Sequence, residues 1–97
     1  MPPATRIGDA DVTHCSTPFR AEGSPNVNVN GIPWSRQGDH NTVHLLPCGP
    51  GCCPHTAPIA VGSSTVFVNG RGAGRIGDGI AGCTSVAQGS PNVNAGG

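Results

Sequence analysis

Residues 23–44, GSPNVNVNGIPWSRQGDHNTVH, align without a gap onto residues 62–83, GSSTVFVNGRGAGRIGDGIAGC. The identical positions are Gly23/Gly62, Ser24/Ser63, Val27/Val66, Val29/Val68, Asn30/Asn69, Gly31/Gly70, Arg36/Arg75, Gly38/Gly77 and Asp39/Asp78. The second half of this unit also occurs at the N-terminus, where Arg6, Gly8, Asp9 and His14 keep the spacing of Arg36, Gly38, Asp39 and His44. The first half recurs at the C-terminus, where GSPNVN at 89–94 repeats 23–28 letter for letter. A first unit without its front and a last unit without its back make one unit split between the chain ends. The chain therefore reads as a single domain, 1–97, with units at 23–44 and 62–83 and a third divided between 3–14 and 89–94. This division predicts that the terminal segments meet and that three copies surround an axis, a closure that a linear solenoid would not need.

Each unit reads as short strands joined by tight turns. In Val27-Asn28-Val29-Asn30 the valines alternate with asparagines, giving one apolar and one solvated strand face, and Asn30-Gly31 accepts the positive φ angles of a tight hairpin turn. Val66 to Gly70 repeats the device. Gly38-Asp39 and Gly77-Asp78 mark a second turn, in which the aspartate bonds nearby backbone amides and serves structure, not catalysis. The expected fold class is all-β, a small cone of short strands and tight turns with pseudo-threefold symmetry. Trp34, the lone tryptophan, either anchors an interface or fills the core, and the core is favoured.

Sixteen Gly and ten Pro in 97 residues exclude a helical bundle. Leu, Ile, Val and Phe together supply 18 of the 97 residues, less than the roughly 20% of a chain with a substantial core. A domain this short and core-poor needs a staple: a disulfide, a metal or a partner. Five arginines balance five acids and there is no lysine, so no uniform field draws nucleic acid or an anionic membrane. The N-terminal MPPATRIGDAD has no apolar h-region, and no run approaches the roughly 20 apolar residues of a membrane span, so no cleaved export signal is expected. Five cysteines, with Cys52 and Cys53 adjacent, suit a disulfide framework poorly and point to metal ligation.

Five residues after each Gly-Asp aspartate stands a metal-binding side chain: His14 after Asp9, His44 after Asp39 and Cys83 after Asp78. Units arranged about an axis bring equivalent positions together, so these three side chains converge. A structural zinc is tetrahedral and takes a fourth nitrogen or sulfur, with His40, His55, Cys15, Cys48, Cys52 and Cys53 as candidates. His55 is favoured because it lies in the Gly/Pro-rich insertion HLLPCGPGCCPHTAPIA, which can fold back over the other ligands. A rival thiolate-rich site would use Cys48, Cys52, Cys53 and His55, as part of a free-standing zinc-binding or redox module. A disulfide from Cys48 to Cys52 or Cys53 is the remaining reading, while Cys15 and His40 are given no metal role and Cys52→Ala is expected to be tolerated. Four protein ligands leave no open position for substrate, so the zinc would be structural and the chain is not expected to be an enzyme.

The repeated block Val-Asn-Gly, a spacer, Arg-x-Gly-Asp and then His or Cys resembles the proline-alanine-alanine-arginine (PAAR) repeat family over essentially the whole chain, from Arg6 to Asn94. The naming motif itself departs from the pattern, reading Pro-Ala-Thr-Arg at 3–6, Pro-Trp-Ser-Arg at 33–36 and Gly-Ala-Gly-Arg at 72–75, with the arginine kept each time. The resemblance implies a conical β-structured tip for the trimeric VgrG-like β-helical spike of a type VI secretion machine or a contractile phage tail, one chain per trimer. It also implies one zinc near the vertex held by three histidines and a cysteine, which match His14, His44, His55 and Cys83. Synthesis in the cytoplasm and delivery by the machine, transient contact with a target membrane and help in loading effector proteins follow from the same resemblance. With the sequence ending at Gly97, no fused effector domain is expected. Apolar faces of short strands read alike whether they meet a core or a spike, so the sequence assigns no partner-contacting residues.

Overall fold

The repeated Val-x-Val-Asn-Gly stretches form the hairpins their sequence calls for. In the computed structural model, which describes residues 1–96, β1 (Asn28–Val29) pairs antiparallel with β2 (Ile32–Pro33). The linking Asn30 and Gly31 have φ of 55° and 76°. Further along, β3 (His44–Cys48) pairs with β4 (Gly51–His55), and β5 (Phe67–Val68) pairs with β6 (Arg71–Gly72) across Asn69 and Gly70, at φ of 53° and 78°. Positive φ at both central residues matches the turn to the right-handed twist of the flanking strands, which explains an Asn-Gly pair at each place. There is no helix among the described residues, and single-residue β-bridges supply the other pairings. The molecule measures 40 × 23 × 21 Å.

Equivalent positions meet about a common centre. The backbone N–H of Thr5 donates to Gly74 O at 3.0 Å, that of Gly74 to Ser35 O at 2.9 Å, and that of Ser35 back to Thr5 O at 3.1 Å. These three residues hold the third place of the three Pro/Gly-x-x-Arg motifs, so the bonds close a ring with one member from each unit. Thr5 and Ser35 are fully buried, and a Cβ on Gly74 would collide with the Ser35 carbonyl, so glycine is required there. The terminal segments also meet: Ala4 N–H donates to Val93 O at 2.8 Å, Ala95 N–H to Pro2 O at 3.0 Å, and Pro3 bridges Asn94.

Polar cross-links between units do much of the work that a large apolar core would do elsewhere. Each Arg-x-Gly-Asp turn folds its carboxylate back onto its own arginine. In the second unit Asp39 Oδ2 accepts from the Arg36 backbone N–H and from Nε, both at 2.8 Å, and Oδ1 accepts from Nη2 at 3.0 Å. Arg6–Asp9 and Arg75–Asp78 repeat the pattern. The remaining guanidinium nitrogen reaches into the next unit, Arg6 Nη1 to Asn30 Oδ1 at 3.1 Å and Arg36 Nη1 to Asn69 Oδ1 at 3.0 Å. Ser90 and Ser24 hydroxyls donate to those same asparagines at 2.6 Å. The split unit has Gly96 where the others have asparagine, and its backbone carbonyl accepts from Arg75 Nη1 at 3.0 Å and from Ser63 Oγ.

Two small apolar clusters complete the interior. Ala57, Ile59, Ile80 and Val86 form one; Val68, Ala73 and Ala95 form the other, with Trp34 packed on it and donating Nε1–H to Gly74 O at 2.9 Å. Trp34 is thus half-buried against the core, the favoured of its two readings. Among the described residues nine buried hydrophobic side chains stand beside fourteen buried polar or charged ones, which accounts for a low aliphatic content in a folded chain.

Candidate metal centre

The side chains that follow each Gly-Asp turn by five residues come together. His14 lies in the loop after Asp11, His44 opens β3, and Cys83 lies in the turn after Ile80. The β3–β4 hairpin adds His55, which pairs directly across from His44 in the register His44↔His55. The insertion therefore supplies its histidine by running out and straight back through a tight turn at Gly49, whose φ is 57°. One ligand atom from each of the four residues falls within 4.8 Å of all the others.

Individual separations are 2.8 Å from His14 Nε2 to Cys83 Sγ, 3.3 Å from His44 Nε2 to the same sulfur, and 2.9 Å between Nε2 of His44 and His55. A tetrahedral zinc with Zn–N near 2.0–2.1 Å and Zn–S near 2.3 Å sets its donors about 3.3–3.7 Å apart; the three short separations lie at or a few tenths of an ångström below that distance, and no pair exceeds 4.8 Å. Three imidazoles and one thiol are also a donor set suited to a borderline-soft divalent ion. The cluster is thus able to hold a metal ion, and its composition is consistent with zinc.

Surrounding groups orient the donors. His44 Nδ1 lies 2.8 Å from Thr42 O, so Nδ1 carries the ring proton and Nε2 keeps its lone pair for the cluster. Rings of His14 and His44 stack at 5.2 Å with an interplanar angle of 11°, and His55 meets His44 edge-on at 4.4 Å. Burial, with added repulsion from His44 and His14, holds the His55 imidazole below its ordinary range, which favours the neutral ligand form. Burial pushes the Cys83 thiol up, so a bound cation is what would draw off its proton.

A buried polar group adjoins the cluster. Asn41 Nδ2 stands 3.9 Å from Cys83 Sγ and 3.2 Å from Asp11 Oδ2, and Asp11 faces Arg20 at 3.7 Å with both side chains fully buried. Burial raises the Asp11 carboxyl and lowers the Arg20 guanidinium from their usual values. Asn41 Oδ1 accepts from Ala57 N–H at 3.0 Å and from Thr56 Oγ1 at 3.2 Å, which fixes the chain just after His55. This group is not legible in the sequence because Asp11, Asn41 and Arg20 belong to no shared motif; the one available clue is that Asp11 and Asn41 both stand three residues before a ligand.

The other cysteines are placed differently from the rival readings. Cys48 is bonded to Cys53, one of the two disulfides considered, and Cys52 is bonded to Cys15. The thiolate-rich site of Cys48, Cys52, Cys53 and His55 is therefore not formed, since its sulfurs are spent in disulfides. Cys15 has no ligand role but does have a covalent one, and a tolerant Cys52→Ala no longer follows. Cys83 is the free cysteine among the described residues. His40 lies apart from the cluster, with Nδ1 3.1 Å from Glu22 Oε1.

No curated protein matches the sequence. A family model described as PAAR motif matches residues 9–84, a span that holds the central repeats, their turns and all four clustered donors. On that match over most of its length, the chain belongs to the PAAR motif family.

Proposed function

We propose that this chain is a non-catalytic spike tip that caps a trimeric VgrG-like β-helical spike, one chain per trimer, and is pinned by a single structural zinc on His14, His44, His55 and Cys83. The observation that carries the reading is the convergence of three repeat-equivalent donors and one insertion histidine within 4.8 Å, in a chain of the PAAR motif family. When bound, zinc supplies a four-way cross-link and no open coordination position. The residues of the chain do the rest. His44 Nδ1–H fixes its ring on Thr42 O, Asn41 offers an N–H toward the sulfur, and β3–β4 carries His44 and His55 as one unit.

The ring of Thr5, Ser35 and Gly74, with one member from each unit, supports this reading. Three similar units in one chain can offer three similar faces to a partner built of three identical subunits, so a monomer can cap a trimer. A body of tight turns can also taper where helices about 10 Å wide cannot. Such a rigid point would concentrate the force of a contracting sheath on a small area of target membrane. We place synthesis in the cytoplasm and delivery by the machine itself, with effector loading as a further role.

The test is co-purification with a trimeric β-helix fragment, scored by native mass for one chain per three spike subunits. Equal numbers of the two would contradict the monomeric cap. Elemental analysis should give about one zinc per chain.

A further inference from the structure

Two cross-links of different chemistry join the same pair of segments. His14 and Cys15 are consecutive, and Cys52 and His55 share β4; Cys15 is bonded to Cys52, while His14 and His55 both belong to the metal-binding cluster. The hairpin between them has little apolar anchorage, since Gly51, Cys52, Cys53 and Pro54 of β4 are exposed and His44 is the buried residue of β3. A further tie ends on the same short segment: Leu45 N–H donates to Ser16 Oγ at 2.9 Å. The other disulfide, Cys48–Cys53, spans five residues inside the hairpin and joins strands that are already paired.

We propose that Cys15–Cys52 is a reversible redox site that sets the metal affinity of the centre, an inference that rests on reading His14, His44, His55 and Cys83 as the metal ligands. With the bond closed across its 37-residue separation, His14 and His55 are held near each other before a metal arrives, so binding orders less of the chain. With the bond open, the ion must gather a weakly anchored hairpin itself. Closure removes two electrons and two protons from the Cys15 and Cys52 thiols and forms the Sγ–Sγ bond. The acceptor is a low-molecular-weight disulfide or a thiol-disulfide oxidoreductase, which leaves as two thiols. Linkage then requires the converse: bound metal makes Cys15–Cys52 harder to reduce by the same factor.

The experiment compares zinc affinity, by competition with a chromophoric chelator, in the oxidised wild-type chain, in C15S/C52S and in C48S/C53S. Serine pairs are used because reduced cysteines would add ligands of their own. C15S/C52S should bind zinc about tenfold or more weakly, and C48S/C53S should stay within about twofold of wild type. Equal affinity in all three chains, or equal weakening in both variants, would overturn the proposal while leaving the ligand reading intact. A wild-type chain that takes up no zinc would overturn both.

A second arm rests on the wild-type chain, so its main readout does not depend on a variant folding. Zinc-loaded and zinc-free wild-type chains are equilibrated in glutathione redox buffers, quenched by alkylation and read by peptide mass. Zinc should protect Cys15–Cys52 from reduction and leave Cys48–Cys53 unchanged, and His14→Ala should abolish the protection. Protection of both bonds alike, or of neither, would contradict the coupling.

Discussion

The Arg-x-Gly-Asp turns occur three times with nearly the same hydrogen bonds, whereas the β3–β4 hairpin occurs once and has no counterpart in the other units. In each turn a carboxylate meets its own arginine three residues away, and that arginine reaches the neighbouring unit, directly or through Gly96. The turn needs nothing beyond the repeat. The hairpin exposes most of its side chains and depends on groups that bond it to distant segments: Cys52 to Cys15, and His44 and His55 to the cluster with His14 and Cys83. Repetition supplies a body held by many modest polar contacts; a single insertion survives through a few strong cross-links.

The largest effect should come from breaking the cross-linked region. His44→Ala removes the donor common to the short contacts with Cys83 and His55. Zinc content should fall from about one ion per chain to none, with the loss of a binding free energy on the order of 10 kcal/mol and a collapse of the melting temperature. Elemental analysis beside thermal melting checks this, and a variant that keeps its zinc would remove His44 from the ligand set.

A smaller effect should follow in the repeat-built body. Asp39 takes bonds from Arg36 and a further one from Arg71 at 3.2 Å, and its side chain is nearly fully buried. Asp39→Asn should cost about 3 kcal/mol in urea unfolding, since two guanidinium groups lose their anion. Asp9→Asn breaks the same turn without a second arginine and should cost about 1–2 kcal/mol. Equal losses would mean that the second arginine, Arg71, adds nothing to the Asp39 turn.

Backbone packing separates the two regions again. A Cβ on Gly62 would stand 2.5 Å from the Gly72 carbonyl oxygen, whereas one on Gly51 in the hairpin meets nothing within 4 Å. Gly62→Ala should therefore cost about 1–3 kcal/mol by the same unfolding assay and Gly51→Ala less than about 0.5 kcal/mol.

The mildest perturbation is pH, applied to the zinc-free chain. His55 is held below the ordinary imidazole range by burial and by its histidine neighbours, so the folded chain binds fewer protons than the unfolded one. Its contribution is present above about pH 6.5 and is lost as pH falls through the lowered value, so the melting temperature should drop between about pH 7.5 and about pH 5. Substituting His55→Gln should flatten that dependence; an unchanged slope would show that another group carries it.

What the letters settle is local or repeated. Asn30-Gly31 and Asn69-Gly70 announce their turns because positive φ is a property of a residue and its immediate neighbours. His14, His44 and Cys83 could be read as one set because equivalent positions of units around an axis must converge. His55 is legible only as a candidate in a foldable insertion, and its pairing opposite His44 is a matter of hairpin register. The partners of Cys15 and Cys52, the reach of Arg6 and Arg36 into neighbouring units, and the use of the Gly96 carbonyl where asparagine is missing were decided by tertiary structure alone. Each depends on which distant atoms arrive at bonding distance after the chain closes on itself, and no pattern of neighbours along the sequence encodes that distance.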